Sequence, residues 1–251
     1  MAKIKFGPRK ALNMRRAGMI VLFAIAVAVL CATALTSPVL DPIPFTEGNY
    51  WIYRGVVRYQ KQPDSDEAAE AKVTWKMEIG RVLHRDDGTI AALVKGFPSD
   101  LNWSTGDATP GKSALVRTTD GRFFLLDANG AASLDQKFKD PSASLRDLLT
   151  EDGLWFQWPL VQGKKFCDED AAKRDDGMYC WTVEAPAPFT IGSIKGVATK
   201  SATAYPLAFR TNPDDTEVEI VPGIGIVRYE YHHHGTVADT ELSLVEFHSG
   251  S

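Results

Sequence analysis

Short runs of alternating apolar and polar residues, rich in Val, Ile, Thr, Tyr, Phe and Trp and separated by Gly, Asp, Asn and Pro clusters, predict a mainly β domain. Roughly a dozen such runs follow Phe45, more than a flat sheet buries comfortably, so an antiparallel barrel, half-barrel or sandwich is expected. A change to helical period around residues 130–152 adds one or two short helices, and a long apolar run near the start adds an N-terminal membrane helix.

Charge divides the 251 residues before any motif does. Lys3, Lys5, Arg9, Lys10, Arg15 and Arg16 give residues 1–16 six cations, and no Asp or Glu occurs before Asp41. Removing these six from the 28 Lys and Arg leaves 22 against 32 acids, so the rest of the chain carries a net charge of −10. Such a body disfavours nucleic acid and anionic lipid surfaces as nonspecific partners. Ala17–Leu35 then runs 19 residues without a charge, a helix of about 28 Å at 1.5 Å per residue and close to a bilayer core. With the cations before it, residues 1–16 are expected in the cytoplasm and everything downstream outside it, periplasmic or anchored at the inner membrane. Ala32-Thr33-Ala34 offers a small-x-small cleavage site, while the length of the run suits an uncleaved anchor, so 17–35 reads as signal peptide or transmembrane anchor. Leu30 before Cys31 occupies the position where lipid-modified proteins need a small residue, and Arg15-Arg16 read as ordinary flanking cations. Pro38, Pro42 and Pro44 make residues 36–44 an extended spacer ahead of an exported β domain at 45–248.

Within that domain Tyr50–Tyr59 is the first expected strand. In Lys72–His84, Val73, Trp75, Met77 and Ile79 alternate with Thr74, Lys76 and Glu78, and Asp86-Asp87-Gly88 turns the chain into Ile90–Val94. A second hairpin joins Ser113–Arg117 and Phe123–Leu126 through Thr119-Asp120-Gly121-Arg122. Leu145, Leu148 and Leu149 then stand at i, i+3 and i+4, which predicts a helix over Ser142–Thr150, capped by Ser142 or Ser144 and stopped at Gly153. Further strands are expected at Lys164–Cys167, Tyr179–Glu184, Phe189–Ile191, Gly196–Thr203, Tyr205–Thr211, Glu217–Ile220, Gly225–His233 and Thr240–Phe247.

Chemistry-bearing groups are few. Cys167 and Cys180 are the two cysteines of the exported part, where disulfides persist, and a bond between them would close a loop of about 14 residues. The acids inside that loop miss the calcium-loop pattern, because Ala172 stands at the third ligand position. Glu230-Tyr231-His232-His233-His234 ends an expected strand whose alternation places Arg228, Glu230, His232 and His234 on one face and Val227, Tyr229, Tyr231 and His233 on the other. Glu230, His232 and His234 could therefore hold a divalent metal, the one cofactor these residues offer, although no His-Glu-x-x-His accompanies them. Trp155, Phe156 and Trp158 form the densest aromatic group, either lining a cavity for an apolar ligand or packing the core. The acid pairs Asp86-Asp87, Asp175-Asp176 and Asp214-Asp215 read as turn residues. Nucleotide-binding glycine patterns and nucleophile elbows are absent from the sequence.

Two stretches carry a resemblance: Pro44-Phe45-Thr46-Glu47-Gly48-Asn49-Tyr50-Trp51-Ile52-Tyr53 near the start of the domain, and Val221-Pro222-Gly223-Ile224-Gly225-Ile226-Val227-Arg228-Tyr229 near its end. The chain resembles uncharacterised exported bacterial β-sheet proteins similar in architecture to the half-barrels of lipoprotein carriers. The resemblance implies a Trp/Tyr-rich first strand and a Pro-Gly turn into a late strand, and it transfers no functional residue. The expected function is a non-catalytic cell-envelope domain that binds an apolar or amphiphilic, lipid-like ligand or an envelope protein. The alternatives are a metal-dependent enzyme or metal-binding protein at His232–His234, and a structural or assembly protein tethered through 17–35.

Overall fold

Alternation builds the sheet strand by strand. In β1 (Tyr50–Gln60) Trp51, Tyr53 and Val57 are buried, and in β2 (Ala68–His84) Val73, Trp75, Met77 and Ile79 are buried between exposed Lys72, Thr74 and Lys76. Burying each such side chain favours folding by about 1.5–3 kcal/mol. The computed structural model describes residues 40–62, 67–140, 142–198 and 201–250. The basic segment, the apolar run and most of the spacer therefore lie outside the described residues. No helix among the described residues is long and apolar enough to cross a membrane.

Both expected hairpins form with one device. Between β2 and β3 (Ile90–Lys95) the Arg85 carbonyl accepts from Gly88 N at 3.0 Å and Asp87 Oδ1 accepts from Thr89 N at 2.8 Å. Between β4 (Lys112–Arg117) and β5 (Arg122–Leu126) the Thr118 carbonyl accepts from Gly121 N at 3.0 Å. Gly88 and Gly121 have φ of +81° and +80°, the left-handed conformation that a three-residue hairpin loop needs.

The remaining strands are β6 (Leu154–Gln157), β7 (Lys165–Phe166), β8 (Trp181–Val183), β9 (Ala187–Thr190), β10 (Ser201–Arg210), β11 (Asp214–Val221), β12 (Gly225–His233) and β13 (Ala238–His248). They form one antiparallel sheet in the order β6-β5-β4-β3-β2-β1-β13-β12-β11-β10-β8-β7, with β9 beside β10. The sheet curls into a nearly closed barrel whose two edges meet through side chains. Trp155 packs edge-on against Trp181 at 6.1 Å, Trp158 against Tyr205 at 5.6 Å, and Lys164 Nζ donates to Gln157 Oε1 at 2.7 Å.

Chain fills the concave side. The β3–β4 connection contains a 3-10 turn, Pro98–Leu101, with Pro98 and Leu101 buried. Its bonds reach across the sheet: Thr240 Oγ1 of β13 donates to the Leu101 carbonyl at 3.2 Å, and Tyr229 OH of β12 donates to Asn102 Oδ1 at 3.0 Å. Phe97 meets Trp155 of β6 edge-on at 5.7 Å. Two buried indoles of β1 and β2 donate to backbone that would otherwise be unsatisfied, Trp51 Nε1 to the Ile224 carbonyl at 2.6 Å and Trp75 Nε1 to the Gly96 carbonyl at 2.8 Å. The last residues of the expected spacer and the first of the domain also dock: Gly223 N donates to the Asp41 carbonyl at 2.7 Å, Asp41 pairs with Arg117, Ile43 is buried, and Phe45 packs on Phe123.

Several elements differ from expectation. The helix forms upstream, as α1 (Ala128–Lys137), capped by Asp127 Oδ1 accepting from Gly130 N at 2.8 Å. Ser142–Thr150 makes turns instead, because local side chains take up the backbone groups a helix would need. Asp140 Oδ1 accepts from Ser142 N, Ser144 Oγ accepts from Arg146 N, and Lys137 Nζ takes the Ser144 carbonyl. Leu154–Gln157, unassigned in the sequence, is the edge strand β6. Gly196–Thr203 and Tyr205–Thr211 give way to the single strand β10, preceded by a turn in which Lys195 bridges to Glu246.

The disulfide Cys167–Cys180 is present, with Cα atoms 4.6 Å apart, and links the ends of the β7–β8 connection. That connection contains a four-residue helix, α2 (Glu169–Ala172), whose cap Asp168 accepts from Asp170 N and Ala171 N. Reduction, or replacement of both cysteines by serine, is expected to lower unfolding free energy by about 3 kcal/mol. Urea titrations with and without reductant measure the change as a shift in midpoint.

Candidate functional site

The aromatic group of the sequence proves to be part of the packed interior. Trp155 and Phe156 are 1% and 0% exposed, Phe156 stacks on Phe123 at 4.6 Å, and Trp155 touches Phe97, Phe156 and Trp181. Trp158 is half-buried against Tyr205. Among the described residues the indole nitrogens of Trp155 and Trp158 are buried without a hydrogen-bond partner, a cost of about 1–3 kcal/mol each. The three residues thus form the barrel seam.

The histidine run lies where β11, β12 and β13 end together. As the alternation predicts, Tyr229 and Tyr231 are buried and His233 half-buried, while Arg228 and His232 are exposed. Each histidine meets an aspartate of a neighbouring strand. His232 Nδ1 bonds to Asp239, His233 Nδ1 lies 2.7 Å from Asp214 Oδ1, and His234 Nε2 lies 3.0 Å from Asp215 Oδ2. Asp214 also accepts from Tyr231 OH at 2.6 Å, and Trp103, with φ of +61°, sets its ring edge-on to His233 at 4.3 Å. Asp214-Asp215, read as turn residues, therefore begin β11 and act as histidine partners.

The imidazoles of His232 and His234 stand 4.7 Å apart. Glu230 is directed elsewhere: it faces Glu217 and Glu241 across the ladders, and its carboxylate pairs with Arg228. Among the described residues no three His, Cys, Asp or Glu side chains are grouped to hold a metal ion. Burial, then the charges of Glu230 and Glu219, raise the Glu217 carboxyl above its ordinary range.

A recess lies on the convex side beside α1, which packs on β4 and β5, and is lined by residues of β2, β3, β4 and α1. It has a volume of about 640 Å³. Ala128, Ala131, Ala132 and Asp135 fall at i, i+3, i+4 and i+7, so α1 turns small side chains toward the recess, while its Leu134 is buried. Leu93 and Val94 add apolar lining, and Arg81, Lys95, Lys112 and Lys139 bring four cations against the carboxylates of Glu78 and Asp135. Asp135 is engaged by Arg81 and by Lys139, the latter at 3.2 Å, and Glu78 by Lys76. Sequence reasoning missed this site. Its one sequence signal is the spacing of the alanines; Lys95 and Lys112 become neighbours only through the β3–β4 register.

A titration test follows from the histidine rim. Burial works to raise the Asp214 carboxyl, but the hydrogen bonds from Tyr231 and His233 outweigh it and hold it below the ordinary value. A depressed folded-state pKa stabilises the fold above the unfolded value of about 3.9, and this contribution disappears as pH falls through the folded value. Asp214→Asn should lower the melting temperature at pH 7, and its gap to the parent protein should close in acid below about pH 4. Thermal melts of both proteins between pH 2 and 7 measure this.

No protein-family model and no curated protein matches the chain. Two solved structures are similar in chain course. One, from Parabacteroides distasonis and assigned as a lipoprotein, has a TM-score of 0.33 at 13% identity and covers 83% of this chain and 99% of its own. The other, from Bacteroides fragilis and assigned as an exported protein with a YmcC-like fold, has a TM-score of 0.38 at 9% identity and covers 84% of this chain and 100% of its own. At these TM-scores neither likeness bears on what this chain does.

Proposed function

We propose that the β barrel is a non-catalytic, extracytoplasmic binding domain, held near the membrane through Ala17–Leu35, and that it takes an amphiphilic ligand in the convex recess beneath α1. The observation that carries this reading is the contrast between the two sides of the sheet. On the concave side Pro98–Leu101, Phe97 and the aromatic seam occupy the space a carrier would reserve for cargo. On the convex side a recess of about 640 Å³ combines apolar lining with cations, and its volume falls in the roughly 300–1,000 Å³ range of small-molecule sites. Export is supported by the basic-then-apolar N-terminus and by the disulfide, which suits an oxidising compartment.

The test is photo-crosslinking of the full chain in bacterial membrane vesicles with a diazirine-bearing acyl-chain probe, followed by mapping of the labelled peptides. Label is expected on the peptides that carry Leu93 and Ala128–Gln136. Ala132 is exposed, so Ala132→Trp should fill the recess from the helix side and reduce labelling at least about tenfold while shifting stability by less than about 0.5 kcal/mol. Label concentrated at Trp155–Trp158 would place the ligand inside the barrel and refute this reading.

A further inference from the structure

Lys95 and Lys112 stand directly opposite each other on β3 and β4. Both are exposed, both line the recess, and among the described residues neither forms an ion pair or a side-chain hydrogen bond. Like charges directly opposite across a ladder are destabilising, and Glu78, which stands opposite Lys95 on its other side, is already engaged by Lys76. The other cations of the recess are balanced differently, with Arg81 and Lys139 sharing Asp135. The outcome is a local surplus of positive charge on a body whose net charge is −10. Apolar surface from Leu93, Ala131 and Ala132 lies beside that surplus.

Resting on the proposed amphiphile site, we infer that its ligand is an anionic single-chain amphiphile, a fatty-acid carboxylate being the simplest member, with the head between Lys95 and Lys112 and the acyl chain along the alanine face of α1. An anion there would cancel a repulsion the empty protein carries, so binding gains on the charge as well as on the chain. Two lysines act as point charges toward the head and ask for no planar fork. An acidic peptide would match the charge, but its backbone donors and acceptors would find CH surface at Leu93, Ala131 and Ala132.

The experiment compares two probes with the same diazirine-bearing chain, a fatty acid and an uncharged monoacylglycerol, on the full chain and on the double variant Lys95→Gln/Lys112→Gln in membrane vesicles. The acid is expected to label the recess at about ten times the level of the neutral probe, and the double variant to lose most of that preference. Thermal melts of the unliganded proteins should show the double variant at least as stable as the parent, because a repulsion has been removed. Equal labelling of the recess by both probes overturns the anion preference and leaves the amphiphile reading standing. Absence of recess labelling by either probe overturns both. A double variant less stable than its parent contradicts the like-charge argument and overturns the inference at its source.

Discussion

The architecture depends on one long-range ladder, the pairing of the first strand with the last. β1 lies between β2, which follows it in the chain, and β13, which ends it, so Tyr50 OH reaches Glu246 across 196 residues. Without that ladder the chain would hold two separate meanders, β1 to β6 and β7 to β13, neither with a partner to curl against. The approach is close enough that a Cβ at Gly55 would fall 1.7 Å from the Glu241 carbonyl oxygen, so glycine is required there. Closing so long a loop costs conformational entropy before the ladder rewards it, and folding is expected to wait on this step.

Once β1 and β13 are joined, the interior follows from satisfaction of buried polar groups. On the concave face Trp51, Trp75, Tyr53 and Tyr229 have polar ends that cannot reach solvent, and each of these four finds an acceptor in the β3–β4 connection or the β12 entry. These bonds draw Gly96–Asn102 into the barrel. The same requirement explains why the inside is occupied by chain.

Much of this was legible in the sequence because it is local. The alternation of Val73, Trp75, Met77 and Ile79, and the Asp-Gly turns at Gly88 and Gly121, set strands, faces and hairpins by short-range rules. The split of the histidine run between two faces came from the same periodicity. What escaped is non-local or weakly patterned. α1 has only Ala131 and Leu134 buried and contains Asn129 and Gly130, so its period is faint, whereas Leu145, Leu148 and Leu149 show a clear period that Asp140, Ser144 and Lys137 override. The aspartate partners of the histidines and the opposition of Lys95 to Lys112 depend on register, which no single strand specifies.

The seam between the two edges of the sheet has a bearing on how this domain behaves at high local concentration. A sheet that stops short of closing leaves two rows of backbone groups available to other chains, the usual starting point for strand addition and aggregation. Here the edge strands β6 and β7 are four and two residues long, and they face each other across Trp155, Trp158, Trp181 and Tyr205. Each edge shields the other with bulky rings, so a neighbouring molecule meets side chains where it would need unpaired amides. Colloidal stability is thereby built into the place where the barrel fails to close.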